Sequence, residues 1–287
     1  MTSKSVPSPA DSAAESEAPE PIGEHLRIYA STELARAIAC LGWRGGRIHE
    51  GVHQARKSLR RTRATLALGA PVLGSGAHLI DRELRRINRN LSRLRDAHAL
   101  VETLDRLHRK SDEQVAHTLR RARRSAARAR AEYTHVCVAA DPGLADRRSL
   151  LGVLQAAMTA LPWTVLDASS VQLALQDSAQ RMEAAGLRAR NRGDDEDWHR
   201  WRRRVRRLSQ QLRALDGVIA PPSRVGEFDK RLANLLGEAQ DYTLLREHCG
   251  KRSAFLHTDR ALLRELSERG TETLRQRIET AAATSAA

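Results

Sequence analysis

Glu50-Gly-Val-His53-Gln-Ala-Arg56-Lys57-Ser-Leu-Arg60-Arg61-Thr-Arg63 sets the terms for the rest of the chain. At 3.6 residues per turn, His53, Arg56, Lys57, Arg60 and Arg61 share one arc roughly 140° wide. Val52, Ala55, Leu59 and Leu66 share a narrower arc centred about 140° away. The stretch reads as a helix with an apolar stripe for a core and an unbroken cationic stripe for something else. The same spacing returns near Trp198, where His199, Arg202, Arg203, Arg206 and Arg207 repeat the basic positions one for one. Trp198, Trp201, Val205, Leu208, Leu212 and Leu215 supply its apolar side.

Outward from these two stretches the chain reads as helices throughout. A first helix starts near Ile22 and ends at Gly42, and Gly45-Gly46 turns the chain into the basic helix. That helix is expected to stop near Ala70, before Pro71, Gly74 and Gly76. The next opens at about Asp81, with Leu84, Ile87, Leu91, Leu94 and Val101 inside and Arg82, Arg85, Arg86, Arg89 and Arg93 alongside; Arg95-Asp96 follows as a local charge pair. A further helix begins at Ser111, a plausible cap. Its arginines, Arg120 and Arg124 among them, read mostly as a solvated face. Asp141-Pro142-Gly143 is a turn, and 144–161 a short linking helix.

From Asp167 the pattern starts again. Helices are expected over 168–190, 195–216, 223–248 and 253–281. His53 and His199 are 146 positions apart and Asp96 and Asp241 are 145 apart, so Lys230 and Arg231 stand where Arg85 and Arg86 stand. The expected fold is therefore all-α, a helical bundle of two pseudo-symmetric four-helix halves, about 22–140 and 167–281. Residues 1–21, rich in Ser, Pro, Ala and Glu, read as a disordered tail, and 282–287 as a short C-terminal one.

Composition agrees. Helix formers dominate, while aromatic and β-branched residues are scarce. A net charge of +14 points to a polyanionic partner: nucleic acid, an anionic surface or a phosphate polymer. Of 49 basic residues only Lys4, Lys57, Lys110, Lys230 and Lys251 are lysines. A G+C-rich genome can produce that bias, yet arginine's planar fork also suits phosphate oxygens. Cys40, Cys137 and Cys249 are scattered and odd in number, as in a reducing compartment. No apolar run has the length of a signal peptide core or a membrane span, so the expectation is a cytoplasmic protein.

Arg56–Arg60, Lys57–Arg61, Arg202–Arg206 and Arg203–Arg207 are like-charge i,i+4 pairs, each costing about 0.2–0.5 kcal/mol. A solvated helix would interleave Glu at these positions; a bound anion would reverse the sign of the cost. His53 and His199, one turn ahead of each stripe, could add donors to such an anion. The bland alternative is that both are packing histidines. His49-Glu50-Gly-Val-His53 matches the zinc-peptidase pattern, but Gly51 weakens the helix there, and Arg56 and Lys57 would repel a dication. No metal, cofactor or catalytic residue is assigned. A nucleotide-phosphate loop, a nucleophile elbow and a paired-carboxylate cluster are all missing from the sequence.

These residues resemble the CHAD domain, the conserved histidine α-helical domain family. The resemblance rests on the opening stretch and on Leu84-Arg-Arg-Ile-Asn-Arg-Asn-Leu-Ser-Arg-Leu-Arg-Asp96. Their echoes are His199-Arg-Trp-Arg202-Arg203-Arg-Val-Arg206-Arg207-Leu and Leu232-Ala-Asn-Leu-Leu-Gly-Glu-Ala-Gln-Asp241. It spans about residues 22–281. It implies a central basic groove or pore that binds inorganic polyphosphate, with association to polyphosphate granules in several members. By position, the contacts it implies are His53, Arg56, Lys57, Arg60, Arg61, Arg85, Arg86 and Arg89. From the second half it implies His199, Arg202, Arg203, Arg206, Arg207, Lys230 and Arg231. Asn234 stands where Arg89 stands, which leaves that contact without a counterpart. Some relatives carry a triphosphate-tunnel phosphatase domain; its Glu-x-Glu-x-Lys signature is missing here, so no hydrolysis is expected. The rival readings are a nucleic-acid binder, a phosphate-transferring or polyphosphate-cleaving enzyme, and a scaffold with incidental charge.

Overall fold

A computed structural model describes residues 21–219, 230–250 and 253–284, with side chains at 231–250 and up to residue 280 in the last segment. Among the described residues every regular element is helical. The α-helices are α1 (Ile22–Leu41), α2 (Ile48–Asn90), α3 (Ser92–His108), α4 (Glu113–Ala140), α5 (Ala145–Thr159), α6 (Ala168–Arg192), α7 (Asp195–Ala214), α8 (Lys230–Glu247) and α9 (His257–Thr284). No described helix is long and apolar enough to cross a membrane.

Local chemistry explains several boundaries. Asp112, Asp167 and Asp194 cap α4, α6 and α7 by accepting from the backbone N–H three residues on, at 3.0, 2.7 and 2.8 Å. The cap of α4 is thus Asp112 rather than Ser111. Asp195, Glu196 and Asp197 fill the first turn of α7, where negative charge complements the helix dipole. The break expected near Ala70 falls at Gly74, just past Pro71, where a φ of 73° that only glycine adopts easily joins two helical arms of α2. At Leu91 the backbone stays in the right-handed helical region and its N–H bonds the Ile87 carbonyl oxygen at 3.1 Å, so α3 follows α2 with only a slight irregularity. The helix expected over 223–248 is described only as α8, and α9 runs to Thr284, past the boundary expected at 281. The N-terminal tail lies outside the described residues, apart from Pro21.

Packing arranges the helices in two shells. The inner shell is a closed circuit in which α2 touches α3, α3 touches α8, α8 touches α7, and α7 returns to α2. Behind each inner helix lies an outer one: α1 on α2, α4 on α3, α6 on α7 and α9 on α8. Helix α5 braces α1 and α2. The largest apolar cluster joins α1, α2, α5 and α6 through Leu26, Leu34, Leu59, Leu66, Met158 and Leu175. A second ties α3, α4, α8 and α9 together, and a third gathers Trp198, Trp201 and Val205 against α6, α8 and α9. The apolar stripes of both basic helices therefore face outward into core. Part of each cationic stripe, Arg56 and Arg60 on α2 and Arg202 and Arg206 on α7, is left facing the middle of the circuit.

Gly51 shows how tightly α1 holds α2. A methyl group there would sit 2.3 Å from the Cys40 carbonyl oxygen at the end of α1. The glycine that weakens a helix on propensity is thus the contact that lets two helices cross closely. Gly51→Ala is expected to destabilise the fold by about 1–3 kcal/mol, the usual cost of overpacking, read as a lowered midpoint in denaturant unfolding.

Candidate functional site

Two cavities occupy the middle of the circuit. The first, about 670 Å³, is walled by all four inner helices, with His53, Arg56 and Arg60 from α2 and Arg95 and Asp96 from α3. Helix α7 adds His199, Arg202 and Arg206, and α8 adds Gln240 and Asp241. The second, about 480 Å³, lies between α2 and α7 and adds Arg85, Arg203 and Arg207. Arg56, Arg60, His199, Arg202 and Arg206 line both, so the two spaces adjoin across these side chains.

The remaining residues implied by the family pattern lie elsewhere. Arg61 is buried away from both cavities and pairs with Glu33 of α1 at 2.7 Å, which gives its charge a partner inside the fold. Lys57 is half-buried beside it and lines neither space. Arg86 is exposed and bonds Glu83 at 2.7 Å, and Arg89 is exposed too. Arg231 is exposed and lines neither space; the side chain of Lys230 lies outside the described residues. Arg86 and Arg89 lie on an exposed face of α2, while on α3 Arg95 and Asp96 take the inward place. The Arg95–Asp96 charge pair expected from the sequence does not form: Arg95 bonds Glu102 at 3.1 Å, and Asp96 has no ion pair among the described residues. Gln240 and Arg204 also line these walls, without a signal beyond their place in the repeat.

The walls are electrostatically costly. Burial, and then neighbouring arginines, push Arg60 well below the ordinary guanidinium range. Burial lowers Arg56 to about 10 and Arg202 to about 9, and lowers Arg206 as well. Arginine stays protonated at neutral pH across that whole range, so the cost is carried, not relieved by losing a proton. Arg56 donates to the Asn88 carbonyl oxygen through one terminal nitrogen. The Nε atoms of Arg56, Arg60 and Arg202 are buried without a hydrogen-bond partner. Among the described residues no carboxylate comes within 4 Å of the guanidinium groups of Arg60, Arg202 or Arg206. Buried charge normally demands pairing.

The histidines are set differently from one another. His199 uses Nδ1 in its bond to the Gln240 side-chain oxygen, which assigns the proton to Nδ1 and leaves Nε2 with a lone pair. Nε2 must gain a proton before it can donate to an anion. His49 stacks on His98 with centroids 5.2 Å apart, whereas His53 lines the first cavity, so the two histidines of the zinc-like pattern serve different surroundings. Burial, with nearby arginines, lowers His49 to about 4 and also lowers His53 and His199.

An all-helical protein with an arginine-walled central hollow is what fold and site together define. The chain belongs to the CHAD domain family, whose model matches residues 29–250. Among solved structures it is similar to PptA from Streptomyces chartreusis, at 19% identity and a TM-score of 0.64, over 92% of this chain and 100% of that one. It is also similar to the CHAD domain from the plant Ricinus communis, at 17% identity and a TM-score of 0.60, over 91% of this chain and 87% of that one. No curated protein matches the chain. At these identities the likeness speaks for the fold.

The lowered histidines make a pH prediction. A histidine that protonates less readily when folded leaves the unfolded state holding more protons, so stability falls as pH drops below 6.5. For His49 the loss continues down to about pH 4. The ligand-free protein is expected to melt at a lower temperature at pH 5 than at pH 7 by differential scanning calorimetry. His49→Gln should narrow that gap.

Proposed function

We propose that this chain is a non-enzymatic binder of inorganic polyphosphate, held in the hollow between α2 and α7. One observation carries the reading. Arg56, Arg60, Arg202 and Arg206 crowd the wall shared by two cavities, with three buried Nε donors unused. A phosphate chain supplies one negative charge per unit and acceptor oxygens on every side, matching guanidinium geometry. It is also thin and carries no bases, so it needs neither a stacking platform nor a groove as wide as a duplex. Family membership supports the same reading, as do Arg85, Arg203 and Arg207 in the second cavity.

Binding here is driven by charge neutralisation and counterion release, so affinity drops steeply with added salt, as for nucleic-acid backbones. Each phosphate held also favours protonated His53 and His199, and affinity rises as pH falls through their range. Holding the chain is the whole of the proposed chemistry. No nucleophile or metal is invoked. A cytoplasmic location with polyphosphate granules as the target goes with this reading.

The test is titration calorimetry with long-chain polyphosphate against the Arg56→Ala/Arg202→Ala double variant. Hydrogen bonds to charged groups contribute ~1.5–3 kcal/mol each, so affinity is expected to fall at least about tenfold. The ligand-free variant should melt no lower than wild type, because each change removes a charge repelled by Arg95 and Arg206. Unchanged affinity would overturn the assignment. So would duplex DNA displacing polyphosphate at equal phosphate concentration, or orthophosphate release on incubation with magnesium.

A further inference from the structure

The two cavities share a wall but not a charge balance. Ten arginines and no carboxylate line the second. Five arginines and five carboxylates line the first: Asp96, Asp195, Glu196, Asp241 and Glu247. Carboxylates repel the ligand proposed above, so their place in this wall needs a reason. Three already have arginine partners that are not part of this cavity. Asp195 pairs with Arg246 and Arg275, Glu196 with Arg200 at 3.2 Å, and Asp241 with Arg106 at 3.2 Å.

Asp96 is different. It lines the hollow without a salt bridge or hydrogen bond to any described residue, yet its charge acts on Arg56, Arg95 and Arg202. Burial pushes its carboxyl upward, against the pull of those arginines, so its environment is dry enough for its charge to be felt. Asp241, its counterpart at the 145-residue offset, acts in the same way on Arg202 and Arg206.

Resting on the polyphosphate reading, we propose that Asp96 is an internal counter-anion that sets the hollow's selectivity. In the unliganded protein it compensates part of the buried guanidinium charge. Toward a ligand it is the repulsive element of the site, and specificity commonly needs such an element. A single orthophosphate entering beside Arg56 and Arg202 meets Asp96 with no other contacts to offset the repulsion. A phosphate chain meets the same carboxylate while also engaging Arg85, Arg203 and Arg207 in the second cavity. The threshold therefore excludes the small anions that fill a cell and admits the polymer.

The test compares wild type with Asp96→Asn, nearly equal in volume but uncharged. By calorimetry the variant is expected to bind long-chain polyphosphate about fivefold or more tightly, because one unit of buried repulsion is gone. Orthophosphate at millimolar concentration is expected to raise the variant's melting temperature and to compete with polyphosphate, doing neither in wild type. The ligand-free variant should melt no lower than wild type, because burial already outweighs the arginines' pull on the Asp96 carboxylate. Asp96→Glu should restore the selectivity. A purely structural Asp96 would lower stability without tightening any anion, and that result overturns the proposal. Asp241→Asn provides a second reading should Asp96→Asn fail to fold: it too must tighten polyphosphate, by less, since Arg106 already shares its charge. If wild type binds no polyphosphate, the function assigned above falls with this inference. If wild type binds and neither asparagine variant tightens the complex, this inference alone falls.

Discussion

Like charge crowded onto half-buried side chains is the constraint to which this structure answers. Arg56, Arg60, Arg202 and Arg206 come from two helices that touch, and their guanidinium groups share one wall. Left alone, such groups would separate or turn to solvent. They cannot, because each helix is pinned from behind. Leu59 and Val205 are fully buried on the opposite faces of α2 and α7, and burying such a side chain contributes roughly 1.5–3 kcal/mol. Trp198 and Trp201 add more, with Arg275 and Arg190 stacked over them. The outer shell of helices thus holds the inner shell in an arrangement that its own charges oppose.

That division of labour explains which arginines ended up where. Arg61 has the same charge and nearly the same helical position as Arg60, yet it lies on the α1 side and meets Glu33 at 2.7 Å. Arg63 turns to Asp81 at 2.8 Å, and Arg121 binds the buried Asp259 of α9. Arg61–Glu33 and Arg121–Asp259 fasten helices to one another, and Arg63–Asp81 ties the two arms of α2 across its bend at Gly74. Arg60 and Arg202 have no such carboxylate within reach among the described residues. One residue type therefore serves two purposes, and the local counter-charge separates them.

Much of this was legible in the sequence and some was not. The helical class, the boundaries of α1 and α7, and the opposition of apolar and basic stripes follow from a 3.6-residue period in strongly amphipathic stretches such as 195–214. Periodicity fails where the chain bends without leaving the helix. Gly74 bends α2 within the stretch where Pro71 and two glycines read as a full stop, and the helix resumes at once. Whether an inward arginine meets a carboxylate or a void depends on the neighbouring helix, not on its own spacing. Arg61 beside Glu33, 28 residues away, is a tertiary fact. So is Asp96, visible only as half of a dipeptide until α3 carried it to the cavity.

The walls also bear on the rival partner of a basic protein, nucleic acid. Single strands are held by combining a basic groove with aromatic faces on which bases stack. Among the described residues, neither cavity is lined by Phe, Tyr or Trp. Trp163, Trp198 and Trp201 are buried in the apolar clusters, where their rings cannot be reached by a base. Duplex recognition instead needs an element that projects into a groove, whereas these arginines line the inside of a closed circuit of helices. The ligand proposed above, a narrow, flexible, densely charged strand whose whole surface is oxygen, suits such a hollow. That follows from the way the apolar stripes face outward, and so from Val52, Ala55 and Leu59 as much as from the arginines themselves.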